Sequence, residues 1–172
     1  MAVLDQIKDR YSVRKYEDRP VEPEKLEAVL EAARLAPSAR NVQEWRFVVV
    51  QDAAMRAKLV EAANGLKFVG AAPVVIACCA VDTNYVMRCG QSAHPIDLAI
   101  AIEHMALQAV EEGLGTCWIG SFFPEKVRAL LNIPADILVI ELLTLGYPAD
   151  TAPEKKRAPI TDIVSHETWG FR

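Results

Sequence analysis

Arg10, Ser12 and Arg14 alternate with Tyr11 and Val13 near the start of the chain. In an extended segment, side chains at i, i+2 and i+4 share one face. The pattern therefore sets two guanidinium groups and a hydroxyl side by side and turns Tyr11 and Val13 the other way. Two rigid forks and a hydroxyl suit an oxyanion, because Arg binds phosphate oxygens in bidentate, charge-assisted fashion. A second alternating pair, Lys155 and Arg157, lies near the other end. If the fold joins the two ends, four cations converge on one dianion, as a cofactor phosphate site requires. On residue types alone, sulfate and any nucleotide fit equally well. The competing reading is a set of solvated surface charges, which is what most Arg and Lys residues are.

Bulk properties favour the purposeful reading. The 172-residue chain carries a net charge of −4 with a pI of about 5.4. That balance argues against a nucleic-acid or anionic-membrane partner, so basic residues gathered at both ends stand out. The chain is 52% hydrophobic with a mean hydropathy of +0.12, rich for a soluble monomer, and some of that apolar surface is expected between subunits. Cys78 and Cys79 sit together in an apolar run and read as small hydrophobes. No C-x-x-C or zinc spacing occurs among the four cysteines, so a reducing compartment is expected. The first ten residues show no apolar signal core, and the longest apolar run, Val69 to Val81, falls short of the ~18 residues a membrane span needs. The expectation is a soluble cytoplasmic protein.

The elements that must position these residues alternate between helix and strand in a single domain over residues 1–172. A short helix, Val3 to Asp9, precedes the Arg/Ser segment. Pro23 opens a helix in which Leu26, Val29, Leu30 and Ala33 recur at helical spacing, and Pro37 stops it. The loop Ser38-Ala39-Arg40-Asn41 leads into a strand from Trp45 to Val50. Asp52 caps a helix ending near Gly65, and Pro73 to Val81 is a buried strand. Asp82 to His94 reads as irregular. The longest helix, Ile96 to Glu112, ends at Gly113 and Gly115, both read as C-cap residues. Thr116 to Phe122 is strand then turn, Pro124 to Leu131 a helix, and Ile137 to Leu145 a third buried strand.

In the long helix Asp97, His104, Gln108 and Glu111 form one narrow polar stripe, and most of the remaining girth is apolar. Such a helix is buried in a core or between subunits, and in a chain this short a homodimer interface is expected. The tail, residues 148–172, lacks helical periodicity yet carries Ile160, Trp169 and Phe171. It reads as an arm on a partner subunit, with docking on its own domain as the alternative.

The ordered motifs resemble those of the nitroreductase-like flavoprotein family. They are Arg10-x-Ser12-x-Arg14, then Ala36-Pro37-Ser38-Ala39-x-Asn41-x-Gln43-x-Trp45, then Gly113-Leu114-Gly115-Thr116-Cys117-Trp118-Ile119-Gly120, and finally Gly146-Tyr147-Pro148 with Lys155-x-Arg157-x-Pro159. The resemblance implies an α+β fold, a central mainly antiparallel sheet flanked by helices in an intertwined homodimer, with FMN at the subunit interface. It implies that Arg10, Ser12 and Arg14 hold the FMN phosphate and ribityl chain, joined by Lys155 and Arg157, with Tyr11 contributing backbone. Ser38, Asn41 and Gln43 would reach the flavin of the other subunit, and Ile119 and Gly120 would lie beside its ring. Gly120 would then let backbone approach the ring closely.

The bland readings stand beside these. Ser38 and Asn41 favour turns in any protein, Trp45 and Trp118 read as core, and His104 reads as a satisfied polar residue. Glu44 stands where the family often has Pro, and Arg40 occupies a usually small or polar slot. No catalytic triad, paired carboxylates or P-loop appears, which suits an enzyme whose cofactor carries the chemistry. The activity implied is an FMN-dependent oxidoreductase. It takes hydride from NADH or NADPH and reduces nitroaromatics, quinones or similar acceptors in a ping-pong scheme, with no side-chain acid required. Alternatives are a flavin storage or sensor protein, a reductive dehalogenase-type activity on the same fold, and a structural dimer without cofactor.

Overall fold

The computed structural model describes residues 3–171. In chain order the helices are α1 (Asp5–Asp9), α2 (Pro23–Arg34), α3 (Ala53–Ala62), α4 (Lys67–Ala71), α5 (Ala93–Glu111), α6 (Pro124–Leu131) and α7 (Ile160–Ile163). The strands are β1 (Trp45–Val50), β2 (Val74–Ala80), β3 (Gly115–Ile119) and β4 (Leu138–Gly146). The four strands form one sheet in the order β1-β2-β4-β3, and every pairing is antiparallel. This is the α+β architecture with a helix-flanked antiparallel sheet that the sequence implied.

β2 and β4 lie at the centre, which is why every residue of β2 is buried. A strand covered on both faces loses the apolar/polar alternation of a half-exposed one. On one face Ile76, Leu143 and Leu145 pack with Leu26 and Val29 of α2 and Leu98, Ile102 and Met105 of α5. On the other, Val75, Ala77 and Leu142 pack with Leu59 of α3, Val69 beside them, and Val127 of α6. Each of the larger side chains contributes about 1.5–3 kcal/mol by leaving water.

Several expectations change. The long helix begins at Ala93, not Ile96, because Ser92 takes the extended N-cap conformation and Pro95 falls in the first turn, where its missing N–H costs nothing. His94 is therefore helical rather than in a loop. The helix after Asp52 stops at Ala62, because Asn64 and Gly65 turn left-handed with φ of 52° and 79°. The five-residue α4 follows, a helix too short to show a period. The tail contains one helical turn, α7. Gly113, at φ 73°, ends α5 as a left-handed residue. Gly115 does not share that role: it opens β3, where an added Cβ would lie 2.3 Å from Val13 Cγ2.

Candidate functional site

β3 is an outer strand, and the N-terminal segment covers its open edge. Ser12 forms a parallel bridge with Thr116, and the Val13 N–H donates to the Thr116 carbonyl at 2.9 Å. Val13 is fully buried and wedged against Gly115, where no larger residue fits. Further along, the Glu17 N–H donates to the Tyr147 carbonyl at 2.9 Å and the Ala149 N–H to the Lys15 carbonyl at 2.9 Å. The Tyr16 hydroxyl donates to the Val13 carbonyl at 3.0 Å and lies 2.7 Å from Thr144 Oγ1. The segment is thus held on three sides in an extended conformation.

That conformation places Arg10, Ser12 and Arg14 near enough to the Cys117 thiol to act on it. Burial pushes the pKa of that thiol up, while Arg14, Ser12 and Arg10 each pull it back down. Arg14 is exposed, and its one hydrogen bond among the described residues runs 3.4 Å to the Ser12 carbonyl. Arg10 Nε lies 3.7 Å from Glu103 on α5, a loose, partly exposed pair of little energetic worth. The guanidinium groups are free to take an anion. Thr116 Oγ1 beside them is buried without a partner, a further unused polar atom of a kind that ligand or water normally satisfies.

The two chain ends do meet. The Tyr11 hydroxyl donates to the Asp150 carbonyl at 2.9 Å, and Lys155 Nζ donates to the Ile7 carbonyl at 3.0 Å and to the Lys8 carbonyl. Lys155 therefore caps the C-terminal end of α1, where a cation is favoured, immediately before Arg10. Arg157 is not brought in: it is exposed and bonds only the neighbouring Lys156 carbonyl, at 2.9 Å, among the described residues.

At the other end of β3, Ile119 is buried and Gly120 exposed. Gly120 lies four positions beyond Thr116, roughly 13 Å at strand rise, so the basic cluster and the Ile119–Gly120 segment flank opposite ends of one outer strand. A Cβ on Gly120 would sit 3.9 Å from both Glu141 carboxylate oxygens and touch nothing else within 4 Å. Within the subunit, then, no close approach demands glycine here. Glu141 lies beside a bulge in β4: Cys78 pairs with Glu141 and Cys79 with Val139, which leaves Ile140 as the extra residue; bulges of this kind re-aim side chains near functional sites. Burial pushes the Glu141 carboxyl up to about 6, against the opposing pull of the Ile119 and Leu142 backbone N–H groups, and its Oε1 is buried without a partner.

The third group lies elsewhere. Ser38 Oγ accepts the Gln43 N–H at 3.0 Å and the Gln43 amide donates to the Asn41 carbonyl at 3.2 Å. The Ser38 hydroxyl thus serves the turn, as the bland reading held, while the Asn41 side chain is exposed. Arg40, Asn41 and Gln43 take left-handed φ of 55°, 57° and 54°. Three non-glycine residues so placed mark a constrained loop of the kind found at functional sites. Among the described residues, no hydrogen bond or ion pair joins this loop to Arg10–Arg14 or to Ile119–Gly120.

Sequence reasoning passed over Tyr16, Thr116, Thr144, Cys117 and Glu141 as site neighbours. For Glu141 and Thr144 the signal was present: a lone Glu and a lone Thr inside the otherwise apolar run Leu138–Gly146. Outside the site, an open groove of about 560 Å³ lies between α1, α2 and α5, with Leu4, Leu35, Leu107 and His104 in its lining. Among the described residues no three His, Cys, Asp or Glu groups are arranged to hold a metal, and no helix is long and apolar enough to cross a membrane.

These features define an α+β protein whose basic residues gather beside the outer strand of one antiparallel sheet. The chain belongs to the nitroreductase family, whose model matches residues 7–72 and 62–147. It is similar to a putative NADH dehydrogenase/NAD(P)H nitroreductase of Archaeoglobus fulgidus, at 37% identity over 86% of each chain. It is also similar to an FMN reductase [NAD(P)H] of Bacillus subtilis, at 30% identity over 97% of this chain and 74% of that one. Among solved structures, a nitroreductase family protein from Clostridium difficile superposes with a TM-score of 0.86 at 36% identity, across 98% of this chain and 100% of that chain.

Proposed function

We propose that the protein is an FMN-dependent oxidoreductase that draws hydride from NADH or NADPH and acts as a homodimer. The observation that carries this reading is the convergence of Arg10, Ser12 and Arg14 on the Cys117 thiol at one end of β3, with Ile119 and Gly120 at the other. A phosphate monoester carries about −1.5 to −2 charge, so two free guanidinium groups and a nearby Lys155 suit it better than one cation would. The relatives named as an NAD(P)H nitroreductase and an FMN reductase support the same chemistry.

When bound, FMN supplies the two-electron chemistry, accepting hydride at N5 and passing reducing equivalents to the next substrate. Arg10, Ser12 and Arg14 would anchor the phosphate and ribityl chain, Tyr11 would add its backbone, and Lys155 would hold α1 against the cradle. Arg157 joins the phosphate only if the tail swings inward. The Ile119 and Gly120 backbone would border the ring. A nitroaromatic or quinone would follow the nicotinamide into the same place, which gives ping-pong kinetics.

Two observations support the homodimer. Among the described residues no hydrogen bond or ion pair joins Ser38, Asn41 or Gln43 to the rest of the site, which suits a pocket completed across an interface. Apolar side chains also remain uncovered: Leu4 is 66% exposed, Leu35 64% and Ile96 42% around α1, α2 and α5, and Trp169 is 83% exposed on the tail. Residues 148–172 would serve as an arm on the partner. Four free cysteines suit a cytoplasmic setting.

The test is anaerobic mixing of the FMN-loaded protein with NADH and with NADPH. Bleaching of the flavin absorbance within seconds, followed by parallel double-reciprocal plots with a quinone acceptor, is the expected result. A flavin that stays oxidised with both nicotinamides would replace the enzyme with a flavin-storing or sensing protein.

A further inference from the structure

Beneath the Ser38–Gln43 loop lies a carboxyl pair with no role in the reading above. Glu44 and Asp97 are each 4% exposed. Asp97 Oδ2 accepts the Ala39 N–H at 2.9 Å, a hydrogen bond that ties this loop to α5. Both Glu44 oxygens are buried without a donor, and Asp97 lines the same small cavity. Two carboxylates cannot bond each other when both are ionised. With one proton, one Glu44 oxygen can donate to Asp97, so burial favours the acid form.

The surroundings point the same way. A cavity of about 10 Å³, room for one water molecule, is lined by Glu44, Asp97, Asp82, Tyr85 and His94. Asp82, from the turn after β2, adds negative potential, and its carboxylate is engaged by the Asn84 N–H at 3.0 Å. His94, from the first turn of α5, is the lining side chain able to carry positive charge, and its Nδ1 is buried without a partner. The Arg40 guanidinium lies 5.2 Å over the Tyr85 ring. Burial first, then Asp97 and Asp82, raise the Glu44 carboxyl above its ordinary range.

We propose that Glu44 is a positioning residue: protonated, it donates to Asp97, and the pair holds the Ser38–Gln43 loop in its left-handed conformation through the Ala39 N–H. The consequence for flavin contacts by Asn41 and Gln43 rests on the function proposed above; the latch itself does not. The folded state keeps a proton that the unfolded chain releases, so stability falls as pH rises from the usual carboxyl range through the raised Glu44 value.

The test compares wild type with Glu44→Gln, which keeps a donor and the shape but cannot titrate. Hydrogen exchange at the amides of Ala39 to Gln43 is followed in cofactor-free protein from pH 4.5 to 8, corrected for intrinsic rates. Wild type should lose protection about tenfold or more as pH rises, while Glu44→Gln stays protected throughout. Glu141 titrates in the same direction but is common to both proteins. Equal pH slopes in the two would overturn the proposal, as would an ordinary carboxyl titration of Glu44 followed by carbon NMR in wild type. Restoration of protection at high pH by added sodium or calcium chloride would also overturn it, making the cavity a cation site. Should Glu44→Gln fail to fold, the NMR titration of wild type decides alone. FMN affinity across the same pH range then tests the link to the flavin: an unchanged affinity alongside lost loop protection keeps the latch and removes the loop from the site.

Discussion

The Val13 N–H donates to the Thr116 carbonyl at 2.9 Å, and this bond fixes the basic segment on the edge of the sheet. It stands only because residue 115 has no side chain: a Cβ there would meet Val13 Cγ2 at 2.3 Å and Pro148 Cγ at 3.0 Å. Gly115→Ala should therefore cost about 1–3 kcal/mol, the range for overpacking a filled core, and should weaken FMN binding by displacing Ser12 and Arg14. Urea unfolding and flavin titration check both effects. Val13→Ala in the same chain should recover part of the loss, since the clash is with that side chain.

Arg14 offers the converse case. It is exposed and supports no other element, so Arg14→Ala should leave the unfolding midpoint within about 0.5 kcal/mol. It should nonetheless weaken FMN by about 1.5–3 kcal/mol, the worth of a charge-assisted contact, or roughly 10- to 100-fold in Kd. Unchanged affinity would remove Arg14 from the site.

Glu141 makes stability depend on pH. Its carboxyl is pushed up to about 6 by burial, above the unfolded value of about 4.3, so the folded state binds the extra proton. Stability is full below about pH 4.3 and falls as pH rises through 6. The group is only half-buried, so the loss is on the order of 1 kcal/mol after solvent screening. Glu141→Gln should remove that part of the slope in unfolding curves taken at pH 4.5 and 7.5. An identical slope in the variant would mean that Glu141 titrates normally.

Gly120 separates two reasons for a glycine. The space toward Glu141 accommodates a methyl group, so Gly120→Ala should change the stability of the cofactor-free protein by less than about 1 kcal/mol. If the backbone here borders the flavin ring, the same variant should lose FMN affinity. Loss of stability instead of affinity would assign the residue to the fold.

How much of this was legible in the sequence depended on the kind of signal. β1 was read to the residue because a β-branched and aromatic run cannot be mistaken for a helix at that length, and α6 because Pro124 marks its first turn. α4 escaped, since five residues carry no period. Arg10, Ser12 and Arg14 were legible because alternation is a local property. That their face would close on Cys117 depended on the pairing of residue 12 with residue 116, which no local pattern records. Glu44, Asp97 and Glu141 were passed over as buried acids for a physical reason: carboxylates are ordinarily exposed, and burial is decided by the packing of α5 and β4. Arg157 shows the opposite failure, a residue whose spacing matched Lys155 but whose side chain the fold leaves at the surface.

The tail offers a test of assembly. Lys155 holds the carbonyls of Ile7 and Lys8, while Ile160, Ile163 and Trp169 remain exposed at 68%, 62% and 83%. Deleting the chain from Thr151 should release FMN on dialysis and reduce the dimer fraction in sedimentation equilibrium. A truncated protein that stays dimeric and yellow would show that the arm serves neither purpose.

The most direct measurement is the visible spectrum of the purified protein after incubation with FMN and removal of free flavin. The cradle of Arg10, Ser12 and Arg14 predicts a retained flavin spectrum in the wild type and its loss in Arg14→Ala. A colourless wild-type protein that fails to retain added FMN would contradict the account at its base.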